Sequence, residues 1–315
     1  SMVGATAATT SPLSVSPDGR RIALLVTSAD GRTLLWVRSL DTLAAQALAG
    51  TDGATSPFWS PDSRFLGFFA GGKLKKIEVA GGPPITLCDA AQGIGGTWNR
   101  DGVIVFAPTT AAVLQKVSAA GGAPTAATTL GQGEGGHRLP FFLPDGRHFL
   151  YRADAGSAGG PIYLASLDST ERKLLFNADS SNVLYTQGHL LFLREATLMA
   201  QPFDAGRLEF SGEAFPVAEQ IQTQGAPLAG IFSASTGGVL AYQTGTGGAG
   251  FQLEWFDRAG KQSGVLGDPA AYSDLALSPD GKRAVVSIPD QAGRRDLWVY
   301  DVARGLRTRL TFDPG

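Results

Sequence analysis

The sequence has one cysteine, Cys88, and three histidines in 315 residues, and only 17% of its side chains are charged. A single cysteine rules out an intrachain disulfide and a thiolate zinc site, so the Cys88 thiol reads as a small buried apolar group. Lys and Arg are scattered without a block, and the net charge is -2. Nucleic acid is therefore not an expected partner, because binding it requires a basic stripe to neutralise phosphates. No apolar run approaches the roughly 18 residues of a membrane span. The N-terminus lacks a basic segment followed by an apolar core; Ser1-Met2 reads as the scar of a cleaved tag, and residues 1–10 as a lead-in. Helical periodicity is missing too, since no stretch of a dozen residues keeps it without interruption by Gly or Pro.

Signatures of chemistry are equally scarce. There is no Gly-x-Ser-x-Gly for a nucleophile elbow and no His-Glu-x-x-His for a zinc hydrolase. Gly131-x-Gly133-x-x-Gly136 and Gly245-x-Gly247-x-x-Gly250 match the dinucleotide fingerprint on paper. That motif needs a helix N-terminus after the glycines to hold a pyrophosphate, whereas a strand-like segment follows each one here, so both read as connections.

What the chain does have is a turn that returns. Ser16-Pro17-Asp18-Gly19-Arg20 is repeated as Ser60-Pro61-Asp62-Ser63-Arg64, Leu143-Pro144-Asp145-Gly146-Arg147 and Ser278-Pro279-Asp280-Gly281-Lys282. Weaker copies stand at Asn99-Arg100-Asp101-Gly102, Thr186-Gln187-Gly188 and Ser235-Thr236-Gly237-Gly238. Pro presets φ, Asp caps the turn with its carboxylate, and Gly takes the left-handed conformation of a bulged hairpin. Taking the second residue of each copy as the mark gives Pro17, Pro61, Arg100, Pro144, Gln187, Thr236 and Pro279, spaced 39 to 49 residues apart. A period near 40 to 45 in strand-like sequence predicts a β-propeller of four-stranded blades.

The first copy illustrates the blade: an inner strand at 11–16, a second strand Arg21–Val26, a third Leu34–Leu40 and an outer strand Gln46–Leu48. Second strands such as Phe65–Phe69 and Val103–Phe106 are apolar on both faces, as a strand sandwiched between neighbouring blades must be. The expected fold is all-β, one propeller of four-stranded antiparallel blades over 11–315, with seven blades and six or eight as alternatives. Closure is expected from the seventh copy packing on the first, or from Val3 to Thr9 adding an edge strand.

Ser-Pro-Asp-Gly-Arg followed by an apolar strand and then Leu297-Trp298-Val299-Tyr300-Asp301 resembles the TolB-like, WD-repeat-like propellers of bacteria. Trp59–Leu66, Gly95–Asn99, Thr197–Phe203 and Asp296–Trp298 resemble the propeller region that follows the kinase domain in bacterial receptor-type serine/threonine kinases. The resemblance covers nearly the whole chain and implies an extracytoplasmic sensor or scaffold module, with no catalytic motif. This chain contains neither a kinase domain nor a membrane span.

Candidate site residues come from the segments before each inner strand, which in a propeller converge on the channel mouth. They include Asp52, Gln92, Glu134, His137, Arg138, Asn182, Gln224 and Asp274. Oxygen-rich side chains converging from several blades could hold Ca²⁺; the plainer reading is that loop residues are polar because they face water. Glu134, His137 and Arg138 form the sharpest cluster: an imidazole for general-base work beside a guanidinium that could hold an oxyanion. His148 and His189, each heading a second strand, read as packing or turn residues. Trp36, Trp59, Trp98, Trp255 and Trp298 read as filler between blades, with an exposed aromatic contact as the alternative.

Three functions follow as expectations. The leading one is a monomeric module that binds a protein, peptide or small-molecule ligand at the propeller face. The second is a Ca²⁺-dependent lactonase or phosphotriesterase-like hydrolase with its ion in the channel. The third is a structural half of a larger double propeller.

Overall fold

The computed structural model describes residues 13–28, 31–42, 44–154, 160–178, 182–224, 229–244, 251–256, 262–270, 273–289 and 295–311. The described chain is β-strand and turn throughout, and each of the seven turn copies forms the hairpin that opens a sheet. Sheet one runs Leu13–Val15, Arg21–Thr27, Thr33–Ser39, Ala45–Ala47. Sheet two runs Thr55–Trp59, Phe65–Ala70, Lys73–Glu78, Ile85–Asp89, and sheet three Gly96–Trp98, Val103–Phe106, Gln115–Ser118, Thr125–Ala126. Sheet four runs Gly136–Phe142, His148–Asp154, Gly160–Ser166, Ser169–Ala178. In sheet five, Leu184–Thr186 and His189–Arg194 are followed by Thr197–Asp204, against which both Glu209–Phe210 and Phe215–Ala218 pair. All neighbours are antiparallel, as hairpin connections require.

The chain divides into two compact units, residues 1–247 and 248–315. The first unit also contains the sixth hairpin, Phe232–Ala234 with Leu240–Tyr242, preceded by the short pair Thr223–Gln224 and Ala229–Gly230. In the second unit Phe251–Phe256 pairs with Gln262–Ala270, and the seventh sheet runs Ser273–Leu277, Arg283–Pro289, Arg295–Asp301, Leu306–Arg309. Leu266, Ala284, Val286 and Tyr300 form the core of this unit.

Within the first unit the core lies between successive sheets. Leu35, Leu66 and Phe68 join sheets one and two; Phe69, Leu74 and Ile104 join two and three; Val105, Phe149 and Tyr151 join three and four. Leu150, Leu190 and Phe192 join four and five, and Leu184, Leu191 and Phe232 join five and six. Second strands are buried on both faces, Phe65–Ala70 from Leu66 onward, and each such large apolar side chain contributes about 1.5–3 kcal/mol.

The seam of the first unit joins sheet six to sheet one. Thr97 in sheet three accepts, through its hydroxyl, the backbone N–H of Phe142 in sheet four at 3.0 Å. Ser233 holds the equivalent place in sheet six, and its hydroxyl accepts the N–H of Val15 in sheet one at 3.0 Å. The turns repeat the relation: Gln187 donates to the Thr236 carbonyl, and Thr236 in turn donates from both N–H and hydroxyl to the Pro17 carbonyl. Sheets six and one are thus neighbours in the same sense as sheets three and four. The six-bladed alternative describes the sheets of this unit, and its seam differs from the closure expected of copy seven on copy one; Val3 to Thr9 lies outside the described residues.

Candidate functional site

The inner strands of all six sheets of the first unit line one central cavity of about 1020 Å³. Its wall is set by two repeat positions. Three residues before each turn mark stand Ser14, Phe58, Thr97, Phe141, Leu184 and Ser233; two before it stand Val15, Trp59, Trp98, Phe142, Tyr185 and Ala234. Strand alternation sends one set toward the cavity side of the pleat and the other into the blade, and bulges exchange them locally. Register shifts of this kind occur in sheets two and four, where Ser56 (φ 47°) and Leu139 (φ 53°) each precede a proline. In sheet three the same place is Gly95 (φ 81°), where a Cβ would come within 3.2 Å of Leu139.

Most polar groups of the wall are engaged by the scaffold. Thr97 and Ser233 hold the next sheet; the Asn182 side-chain amide oxygen accepts the Gly230 N–H at 3.0 Å; Thr186 donates to the Ser235 carbonyl at 2.7 Å. Asn99 donates to the Gly146 carbonyl at 2.7 Å, and the Trp59 indole N–H donates to the Ser14 carbonyl at 2.9 Å. Charge enters only in the turns, at Asp18, Asp62 and Arg100. Both carboxylates close their own turn, accepting the hydroxyl of Ser16 or Ser60 and the N–H of Arg20 or Arg64. Burial alone would raise the Asp18 pKa, but these hydrogen bonds and Arg21 outweigh it and hold it low.

Of the residues singled out from sequence, Asn182 is on the cavity wall. Asp52 and Gln92 are exposed loop residues, and neither lines the cavity. The side chains of Gln224 and Asp274 lie outside the described set. Glu134, His137 and Arg138 are brought together, but away from the cavity, where the link from sheet three, carrying Glu134, enters the first strand of sheet four, carrying His137 and Arg138.

His137 is fully buried, 4.6 Å from the Tyr151 ring centroid to centroid. Its Nε2 lies 3.0 Å from Glu134 Oε2 and its Nδ1 2.7 Å from the Thr128 hydroxyl. The carboxylate can only accept, so Nε2 carries the proton and Nδ1 accepts from Thr128. Glu134 also accepts the Gly131 N–H at 2.6 Å and Arg172 at 2.8 Å, and Arg172 stacks 4.2 Å over the Tyr163 ring. Burial pushes the Glu134 pKa up, but Arg172, His137 and the Gly131 N–H outweigh it and bring it to about 2. Burial pushes His137 down further than Glu134 pulls it up. Arg138 donates twice to the Thr110 carbonyl and pairs with Asp154. An imidazole with no accessible surface and both nitrogens bonded has no route to a substrate, so this cluster clamps a link onto sheet four.

Among the described residues no group of three His, Cys, Asp or Glu side chains comes together, whereas Ca²⁺ takes 6 to 8 oxygen ligands. His148 pairs with Asp145, and His189 Nδ1 lies 2.8 Å from the Gln187 carbonyl, so both belong to turns. Cys88 is half-buried, and burial lifts its thiol to about 11.

Sequence reading gave Trp98 as filler between blades and did not single out Tyr185, yet both line the cavity. They occupy the same repeat position in sheets three and five, and both are half-buried. Neither the indole N–H nor the phenol O–H is hydrogen-bonded or sealed from solvent among the described residues. Reading the residue two before each turn mark across the copies would have placed them together.

No family model matches the chain, and no curated protein matches it. Solved structures do. A putative TolB from Agrobacterium tumefaciens is 16% identical over 67% of this chain and 83% of its own, with a TM-score of 0.48. The β-propeller domain of Cps50 (Swd1) from Myceliophteria thermophila is 12% identical over 95% and 85%, with a TM-score of 0.48. A prolyl endopeptidase is 14% identical with a TM-score of 0.47; 96% of this chain matches it, spanning 50% of the endopeptidase.

Proposed function

We propose that the chain is a ligand- or protein-binding propeller module whose recognition site is the central cavity of the first unit. The observation that carries this reading is that six inner strands converge on one cavity of about 1020 Å³ while Glu134, His137 and Arg138 are tied into scaffold contacts. A concave, largely apolar pocket with a few free polar groups suits binding. The reading extends to a monomeric, extracytoplasmic sensor or scaffold region of a bacterial receptor kinase, supported by the resemblance of Trp59–Leu66, Gly95–Asn99, Thr197–Phe203 and Asp296–Trp298 to the propeller region of such kinases. Whether the reading frame encoding this chain also encodes a kinase domain and a membrane span decides that extension.

The site is tested by filling it. Ala234 lines the cavity at the place where other sheets carry Trp or Tyr, so Ala234→Trp should occlude it. Peptides, oligosaccharides and small molecules are screened by thermal shift against the wild type and this variant. A ligand at 100 times its dissociation constant stabilises by about 2.7 kcal/mol, several degrees in Tm. Compounds that raise only the wild-type Tm support the cavity; compounds that stabilise both proteins equally sink it. Adding millimolar Ca²⁺ after EDTA is expected to leave Tm unchanged, and a rise of several degrees would restore the hydrolase reading.

A second reading, a structural half of a larger assembly, draws on the seventh sheet. Leu297 shares one sheet face with Leu306 and Leu310, which are 64% and 57% exposed. Serine at Leu306 and Leu310 should abolish any self-association seen by sedimentation if that face docks further repeats.

A further inference from the structure

The wall of the central cavity is specific about the chemistry it can accept. Its carboxylates, Asp18 and Asp62, and its one cation, Arg100, are confined to the turns, and Arg100 already donates to the Asp145 carbonyl at 3.1 Å. An ion entering deeper would lose water and find no counter-charge, a cost of several kcal/mol. The Thr97, Ser233, Thr186 and Asn182 side chains already hold neighbouring sheets, Thr97 and Ser233 as acceptors. Trp98, beside Phe65 of sheet two, and Tyr185, beside Phe203 of its own sheet, each add to the wall a half-buried aromatic ring and an unengaged polar hydrogen. Aromatic residues with an apolar body and a polar tip bind flat apolar rings that carry an acceptor atom.

We propose that the central cavity takes an uncharged ligand bearing a flat aromatic ring and a carbonyl or ether oxygen, packed against the Trp98 or the Tyr185 ring and accepting a hydrogen bond from the indole N–H or the phenol O–H. This rests on the cavity being the recognition site and adds the ligand's class. It also accounts for the different state of Trp59, whose indole N–H is held by Ser14 and is not available.

The test uses two naphthalene probes with the intact protein. Prodan is an uncharged naphthyl ketone whose emission reports a hydrogen bond to its carbonyl; anilinonaphthalene sulfonate carries a similar ring system with a negative charge. Prodan is expected to bind saturably, with the sulfonate at least tenfold weaker. Tyr185→Phe keeps the ring and removes the donor, and Trp98→Phe removes the donor while leaving a smaller aromatic face. At least one of them should weaken prodan about three- to tenfold, the range of one neutral hydrogen bond, and shift its bound emission to the blue. Ala234→Trp should abolish binding, and Leu306→Ser, in the second unit, should leave it unchanged. If Ala234→Trp lowers Tm, the two phenylalanine variants carry the test alone. Equal affinity for both probes, or prodan binding untouched by both phenylalanine variants, overturns the ligand class. If the sulfonate or an oligosaccharide binds in a manner lost in Ala234→Trp while prodan does not, the ligand class fails and the cavity stands. If prodan binds as tightly to Ala234→Trp as to the wild type, both fail.

Discussion

At the scale of single residues, the unusual feature is how many hydroxyls and amides on the inner strands serve the neighbouring sheet. Ser233 is the clearest case, because the Val15 N–H it accepts belongs to a residue only 4% exposed. Leaving a buried donor without a partner costs about 1–3 kcal/mol. Ser233→Ala is therefore expected to lower unfolding free energy in urea by that amount and to speed exchange of the Val15 amide. A fall in stability with no change at Val15 would contradict the seam. The buried cluster makes a second prediction. Its folded His137 has a pKa below the ordinary value near 6.5, so the unfolded chain binds more protons over the range between them. Its contribution to stability is complete above pH 6.5 and is lost as pH falls through that range; Glu134, held at about 2, adds a further loss below its ordinary value of about 4.3. His137→Gln should flatten the decline in Tm between pH 7 and pH 5 and leave the decline below pH 4.5 in place. Proximity in sequence was enough to find Glu134, His137 and Arg138 together. Their role was hidden because Arg172 stands 38 residues from Glu134 and the link's partners lie on another strand.

At the scale of elements, the hairpins were readable because their chemistry is local. In three copies Ser16, Ser60 and Ser278 accept the N–H of the residue that opens the second strand, and in a fourth Ser235 accepts that of Val239, one residue before the strand. At Asn99 the amide oxygen does the same, and at Leu143, which cannot, the Asp145 carboxylate takes the His148 N–H instead. The bulges were not readable. Ser56 and Leu139 adopt a left-handed φ that favours glycine, and only the packing of the inner strands around a cavity imposes it. A comparable hidden constraint sits in sheet two, where the Phe58 ring covers Gly67 so closely that a Cβ there would lie 2.3 Å from it. The glycine reads in sequence as a weak point in a strand, yet it makes room for an aromatic from the inner strand. Gly67→Ala should destabilise by about 1–3 kcal/mol through overpacking, measured as a lower urea midpoint at unchanged m-value. The double variant Gly67→Ala, Phe58→Leu should recover part of that loss, which a purely local backbone effect would not allow.

At the scale of the whole molecule, counting turns establishes how many hairpins open sheets but not which sheet touches the first. That contact joins residues 218 positions apart through Val15 and Ser233, and no local pattern encodes it. In repeat architectures each sheet is stabilised mainly by its nearest neighbours, so a set of sheets whose end faces cover each other can be stable alone. In the first unit every successive pair from sheet one to sheet six shares packing or hydrogen bonds, and the pair that returns to sheet one does so within residues 1–247. A polypeptide of residues 1–247 is accordingly expected to be monomeric, to melt in one cooperative transition, and to retain the prodan response ascribed to the cavity. A polypeptide ending at residue 218 lacks Ser233 and Thr236, and should lose the cooperative transition because the inner strand of sheet one is left without its partner. If 1–247 fails to fold while the full chain folds, the sheets beyond Gly247 contribute to closure. If both truncations fold equally well, the bonds from Ser233 and Thr236 are incidental to it.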